Sequence, residues 1–218
     1  MNKEIIILTK SEKYNNYCVA GIDVQTGQLV RLVSEDKDIK YALTNKDIEY
    51  DNCEEAQVLD KVIVNVKDNQ KCWYQPENYT IDNKKKMKYI QKVSESDIDK
   101  YINHKDIIFF NNENSIDEEE LNNEEDIYSL IMIKPQIFKV RIHNRKNKKK
   151  LKASILYNEV WYNNIIITDM EFTDKYYNEI MNLPIEGKNF WNVKIILSLA
   201  EKYSKDNKYY KLVASVIE

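Results

Sequence analysis

The stretch from Gln136 to Tyr157 constrains the fold more than any other. Phe138, Val140 and Ile142 alternate with Lys139, Arg141 and His143. Leu151, Ala153, Ile155 and Tyr157 alternate with Lys150, Lys152 and Ser154. A period of two puts one set on each side of a strand. The polar residues Asn144 to Lys149 between the two runs predict a turn. The expected product is a hairpin with one apolar and one basic face.

The residues after the hairpin extend it into a recognisable order. Ile165 to Thr168 predicts a third strand. A short helix is expected near Thr173 to Met181, with Phe172, Tyr176 and Ile180 in line. Asn192 to Leu199 and Tyr209 to Ile217 predict two final strands. The order β-β-β-α-β-β is that of a five-stranded Greek-key barrel of the oligonucleotide/oligosaccharide-binding (OB) kind. Other small β-barrels share much of it.

The first half gives the same pattern less sharply, with strands expected near 4–9, 17–24, 29–34, 58–66 and 72–81. Gln25-Thr26-Gly27 is a turn signal within the hairpin Asp23 to Val30. Residues 35 to 56 are polar and charged and predict an excursion with a little helix. Residues 83 to 103 predict a helix, with a capping-box pattern at Ser94 and Asp97 and with Ile98 and Ile102 on one face. Residues 113 to 126 hold eight carboxylates and no base, the composition of a solvated connector. The expected fold class is mainly β with minor α. Two small Greek-key (OB-like) barrels, 1–82 and 129–218, are joined by a helical and acidic connector, 83–128.

Composition removes several function classes. With 33 basic and 36 acidic residues in 218, the net charge is −3, which excludes a uniformly basic coat but not a local basic groove. Three glycines cannot supply a glycine-rich phosphate loop. Cys18, Cys53 and Cys72 form no C-x-x-C pair, and His104 and His143 stand in no ligand spacing, so no metal and no cofactor is implied. Unpaired cysteines fit a cytoplasmic protein. The apolar run Ile5 to Leu8 is too short for a signal peptide or a membrane span. No nucleophile has a companion base, so an enzyme is not expected and no catalytic residue is assigned.

Three groups of motifs carry a resemblance. They are Ile7-Leu8-Thr9-Lys10-Ser11-Glu12-Lys13 with Tyr17-Cys18-Val19-Ala20-Gly21 and Val30-Arg31-Leu32-Val33-Ser34; Tyr74-Gln75-Pro76-Glu77-Asn78-Tyr79; and Leu197-Ser198-Leu199-Ala200-Glu201 with Tyr210-Lys211-Leu212-Val213-Ala214. Together they resemble the bacterial dual OB-fold domain family over nearly the whole chain. Asn15-Asn16 and Ala200 stand where the family pattern has glycine, which implies altered loops in the same fold. The resemblance implies nucleic-acid or nucleotide binding and no catalytic residues.

Binding candidates come from charge and aromatic content. Between 141 and 152 lie seven bases and no acid. Lys139, Arg141, Arg145, Lys146, Lys148, Lys149 and Lys152 are candidates for backbone phosphates, where each neutralised charge releases counterions. A lysine-rich hairpin tip kept soluble explains the same residues. Glu12-Lys13-Tyr14 and Glu201-Lys202-Tyr203 echo each other, one between strands one and two and the other between strands four and five. Those loops flank the ligand face of an OB barrel. This adds Lys10, Lys13, Tyr14, Lys202 and Tyr203, with Trp161-Tyr162 as a further stacking candidate. Arg31 could reach a phosphate or pair with a carboxylate such as Glu12. Tyr74, Gln75, Glu77 and Asn78 could contact a base or nucleotide, or lock the end of the first barrel.

Three readings stand. The first is a non-catalytic module binding single-stranded RNA or DNA by electrostatics and stacking. The second is a protein-interaction or sensor module, with 113–126 docking a protein partner or masking the basic hairpin. The third is a nucleotide-ligand binder or hydrolytic enzyme with a pocket at Arg31, Tyr74 and Glu77. None involves a membrane.

Overall fold

The computed structural model describes residues 1–69, 72–143, 150–183 and 187–218. The chain divides into two compact units, Met1–Tyr101 and Ile102–Glu218. Residues 83–101 belong to the first and 102–128 to the second. The expected boundaries at 82 and 128 do not coincide with this division.

The first unit contains β1 (Asn2–Lys13), β2 (Asn16–Asp23), β3 (Leu29–Val33), β4 (Asp60–Asn69), β5 (Asn78–Ile81) and β6 (Lys88–Lys92). Their order is β1-β2-β3-β5-β4-β6, and β1 also pairs with β4, which closes five strands into a ring. β3 and β5 run parallel and the other neighbours antiparallel. β1 serves two partners because it bends. Its register with β2 shifts between Ile7 and Thr9, and a bulge of this kind turns a strand. Gly21 permits the closure there, since a Cβ would lie 2.2 Å from the Ile6 carbonyl oxygen. Ile5, Ile7, Val19, Leu32, Val62 and Val64 fill the ring. The excursion after β3 places Leu43, Ile48 and Tyr50 in the same core. Its short 3-10 helix at Asn45–Asp47 starts where the Asp47 carboxylate accepts from the Thr44 N–H and hydroxyl, at 2.8 and 2.7 Å.

The helix expected over 83–103 is replaced by two elements. Lys88–Lys92 forms β6, paired to β4. A 3-10 helix at Glu95–Tyr101 comes next, with Ile98 buried. Its start is the expected one, since Asp97 accepts from the Ser94 N–H at 2.8 Å and hydroxyl at 2.7 Å.

The second unit contains β7 (Ser115–Asp117), α1 (Glu118–Asn122), β8 (Leu130–Ile133), β9 (Ile137–Ile142), β10 (Leu151–Tyr157), β11 (Val160–Ile167), α2 (Met170–Met181), β12 (Lys188–Phe190), β13 (Lys194–Lys202) and β14 (Lys208–Ile217). The strand order is β12-β9-β10-β11-β14-β13-β8, with β7 beside β14. β11 and β14 run parallel. β8 and β9 act as two halves of one strand broken at Lys134-Pro135-Gln136, one half pairing with β13 and the other with β10. With that joined, the order matches the first unit: both are mainly-β OB-like sheets.

Alternation decides the inside of the second unit. Phe138, Val140, Leu151, Ala153 and Ile155 are fully buried. α2 lies in the expected place between the third and fourth strands of the sheet. Asp169 caps it by accepting from the Phe172 N–H at 2.9 Å, and the same carboxylate accepts from the Val216 N–H at 3.0 Å. Phe172 meets Phe138 and Phe190 at ring-centroid distances of 6.2 and 5.0 Å, which seats the helix on the core. Residues 113–126 do not run as a solvated connector. They supply β7 and α1, with Ile116 and Leu121 buried.

Candidate nucleic-acid interface

β9, β10, β11 and β12 form a continuous sheet that contains no carboxylate. Their inward residues are mainly apolar; Lys188 of β12 is the exception, in register with the buried Val140 and 2.8 Å from Glu179 of α2, and the charge of β9, β10 and β11 lies on the other side. Arg141 pairs in register with Lys152, and Lys152 with Ile166. Lys139 pairs with Ser154 one row further along, beside Asn189 of β12. The next row is Ile137, Leu156 and Trp161. Arg141 donates through Nη2 to Asn164 Oδ1 at 2.7 Å, which spreads its fork over the sheet. Trp161 is 43% exposed, while Tyr162 next to it is buried and its hydroxyl accepts from the Ile108 N–H at 3.0 Å. Three cations and one indole therefore share an outer face with amides and, among the described residues of these strands, no acid. Arg145, Lys146, Lys148 and Lys149, between β9 and β10 in the sequence, lie outside the described residues.

The β13–β14 turn presents Lys202 and Tyr203 at the surface, as expected for a loop between the fourth and fifth strands. Tyr203 packs edge-on against Tyr210, 6.0 Å between centroids. Lys202 is bound at 2.9 Å by Glu118 of α1. Lys208, which opens β14, is held at 3.3 Å by Asp117 of β7. The acidic segment thus meets the cations of this turn directly.

In the first unit the candidates separate into exposed and buried sets. Tyr14 heads the β1–β2 turn, 63% exposed, with left-handed backbone at Tyr14 and Asn15 (φ 50° and 60°). Lys13 is half-buried beside it. Lys10 binds Glu55 at 3.1 Å and lies 5.4 Å over the Tyr17 ring. Arg31 is only 2% exposed. Its Nη1 donates to Asn78 Oδ1 at 2.9 Å, and Asn78 Nδ2 donates to Gln75 Oε1 at 3.4 Å. Arg31, Gln75 and Asn78 thus join β3 to the start of β5 from inside. Tyr74 and Glu77 are half-buried in the same turn, where the Glu77 carbonyl accepts from the Arg31 N–H at 2.8 Å.

Other chemistry is sparse. Among the described residues no group of three or more His, Cys, Asp or Glu side chains could hold a metal ion. An open cleft of about 560 Å³ in the second unit is rimmed by Asp106, Glu124, Glu125 and Asp126, the wrong sign for a polyanion. Its one lysine, Lys105, lies 3.6 Å from Asp126 and 4.8 Å from the centre of the Tyr128 ring. No described helix is long and apolar enough to cross a membrane. Sequence reasoning misses one charged surface. Lys84, Lys85, Lys86, Lys88 and Lys92 flank and occupy β6, all exposed. The lysine run itself is the signal, obscured by the helical expectation.

Three comparisons bear on this architecture. The chain is similar to the HIN2 domain in the crystal structure of tetrameric p202, at 9% identity over 100% of this chain and 94% of that one, with a TM-score of 0.33. It is also similar to the p204 HINb domain, at 11% identity over 98% and 96%, with a TM-score of 0.34. Both superpose weakly, and no function is carried over from either. No curated protein matches the sequence. The family model of the dual OB-containing domain matches residues 3–216, so the chain belongs to that family.

Proposed function

We infer that the protein is a non-catalytic binder of single-stranded RNA or DNA. Its main contact is the outer face of β9, β10 and β11, joined by the basic residues that follow β9 in the sequence. The carrying observation is the acid-free sheet itself. Lys139, Arg141 and Lys152 supply charge for the phosphates, and Trp161 supplies a ring for an unpaired base. This is the strand-two and strand-three face on which OB folds take oligonucleotides. Nothing on it selects a base sequence. The three free cysteines suit a reducing, cytoplasmic setting.

Labelled single-stranded RNA and DNA, titrated at low and moderate salt, test the reading. Binding should weaken steeply with salt. Changing Lys139, Arg141 and Lys152 together to serine should reduce the salt slope by about 2, at roughly 0.7 per phosphate contact. Wild-type protein that binds neither strand at low salt would sink the proposal.

A second reading concerns the acidic segment. Asp117 and Glu118 occupy Lys208 and Lys202 in the turn that flanks this face. The segment then acts as a mask that a protein partner or the nucleic acid itself displaces.

A further inference from the structure

β6 is exposed along its whole length, which is true of no other described strand. It pairs with β4 on one edge, from Asp60 opposite Lys92 to Ile63 opposite Lys88. No described strand pairs with its other edge. From Asn83 to Ser94 there are five lysines and no acid. Lysines on an edge strand have an ordinary purpose, since they discourage another strand from adding there. That purpose accounts for Lys88 and Lys92. It does not account for Tyr89, which is 50% exposed between them.

The Tyr89 ring is held from below. It packs on Tyr50 at 5.6 Å with the planes 56° apart. Tyr50 is buried, and its hydroxyl donates to the buried carboxylate of Asp60 at 2.8 Å. Tyr89 is therefore a ring fixed on one side and open on the other, the form a base can stack on without ordering a loose side chain. The charge around it is in surplus. Asp82, Glu49 and Asp60 lie 3.8, 3.5 and 3.8 Å from Lys85, Lys86 and Lys92. The first two pairs are partly exposed and loosely held, so they add little and exchange readily for phosphate, whereas the Asp60 carboxylate of the third is buried. Lys84 and Lys88 have no acidic partner among the described residues.

We propose that β6 and the turn before it form a second single-strand contact, separate from the β9–β11 sheet. Tyr89 stacks on one unpaired base, and Lys84 and Lys88 take the flanking phosphates. A duplex would offer phosphates but no free base face. An acidic polypeptide adding to the edge would use the lysines but not the ring. The site shares its ligand class with the reading above and none of its residues.

The test uses the full chain and a fluorescein-labelled single-stranded oligonucleotide. The background variant carries Arg141→Ser, Lys152→Ser and Trp161→Ala, which disables the other face. It should retain measurable binding. Adding Tyr89→Ala should lower that affinity about tenfold, with Tyr89→Phe restoring it. Adding Lys84→Ser and Lys88→Ser should instead reduce the salt slope by about 1.4. Circular dichroism on each variant confirms the fold. If the background variant binds nothing while wild type binds, the β6 site does not exist and the sheet reading stands. If the background binds as wild type does, the sheet reading fails and β6 remains. Equal loss of duplex and single-strand binding from Tyr89→Ala, or equally tight binding of a labelled oligoglutamate, overturns the proposal.

Discussion

Arg31 on β3 and Asn78 on β5 stand opposite each other in the parallel ladder and share a hydrogen bond of 2.9 Å, both almost wholly buried. A guanidinium in this position cannot be left without acceptors, because water does not reach it. Asn78→Ala should therefore cost about 1–3 kcal/mol of stability, the range for stranding a buried polar partner. Urea unfolding monitored by circular dichroism measures it. Nucleic-acid affinity of the folded variant should stay unchanged, because neither side chain reaches the surface.

Lys211 on β14 is 1% exposed, with its ammonium 2.6 Å from the Ile108 and Asn111 carbonyl oxygens and 2.8 Å from Asn111 Oδ1. Burial pushes its pKa down from the usual lysine value to about 7, against the pull of Glu120 and Glu113. The unfolded chain then holds more protons than the folded one between pH 7 and the ordinary lysine range. Stability should rise with pH across that window and be flat below it, as far as this group is concerned. Lys211→Met should remove that part of the slope. Unfolding free energies of both proteins from about pH 6 to 10 provide the check.

The pairs Glu118–Lys202 and Asp117–Lys208 hold two cations that a phosphate backbone would otherwise claim. Asp117→Asn with Glu118→Gln should strengthen single-strand binding several-fold at low salt and steepen its salt dependence. Unchanged affinity would remove the masking reading and leave the pairs as anchors of α1. Titration at two salt concentrations distinguishes the outcomes.

Phe138 is fully buried, and α2 rests on it through Phe172. Phe138→Ala should destabilise the second unit by about 3–5 kcal/mol, the cost of a large-to-small change in a packed core. Thermal unfolding should then show the second unit melting earlier, with the first unit's transition in place.

The parts legible in the sequence are those governed by local period. Lys139 and Arg141 can be placed on one face because Phe138 and Val140 alternate with them, and both lie where that alternation puts them. Trp161 is harder to place. The left-handed backbone at Asn164, with φ 62°, breaks the alternation, so the sequence pattern starts the strand only at Ile165. Lys84 to Lys92 holds good helix formers, but pairing with β4 decides its state, and strand formation depends on such neighbours more than on the residues themselves. Arg31 looks available for a ligand in the sequence because its partner Asn78 is 47 positions away in the chain. Nothing local reports a contact of that reach.

The placing of β14 has a consequence for how the protein is made. It pairs with β11, β13 and β7, and Lys208 meets Asp117 across 91 residues. The first unit finds its sheet partners within Met1–Tyr101. A chain emerging from the ribosome can complete the first sheet early and must wait for β14 to finish the second. Contacts of such long reach slow folding, and domains form from the N-terminal side during synthesis. Until Lys208–Ile217 is released, the edges of β11 and β7 stand open, so the interval between the two closures is when the nascent chain most needs a chaperone.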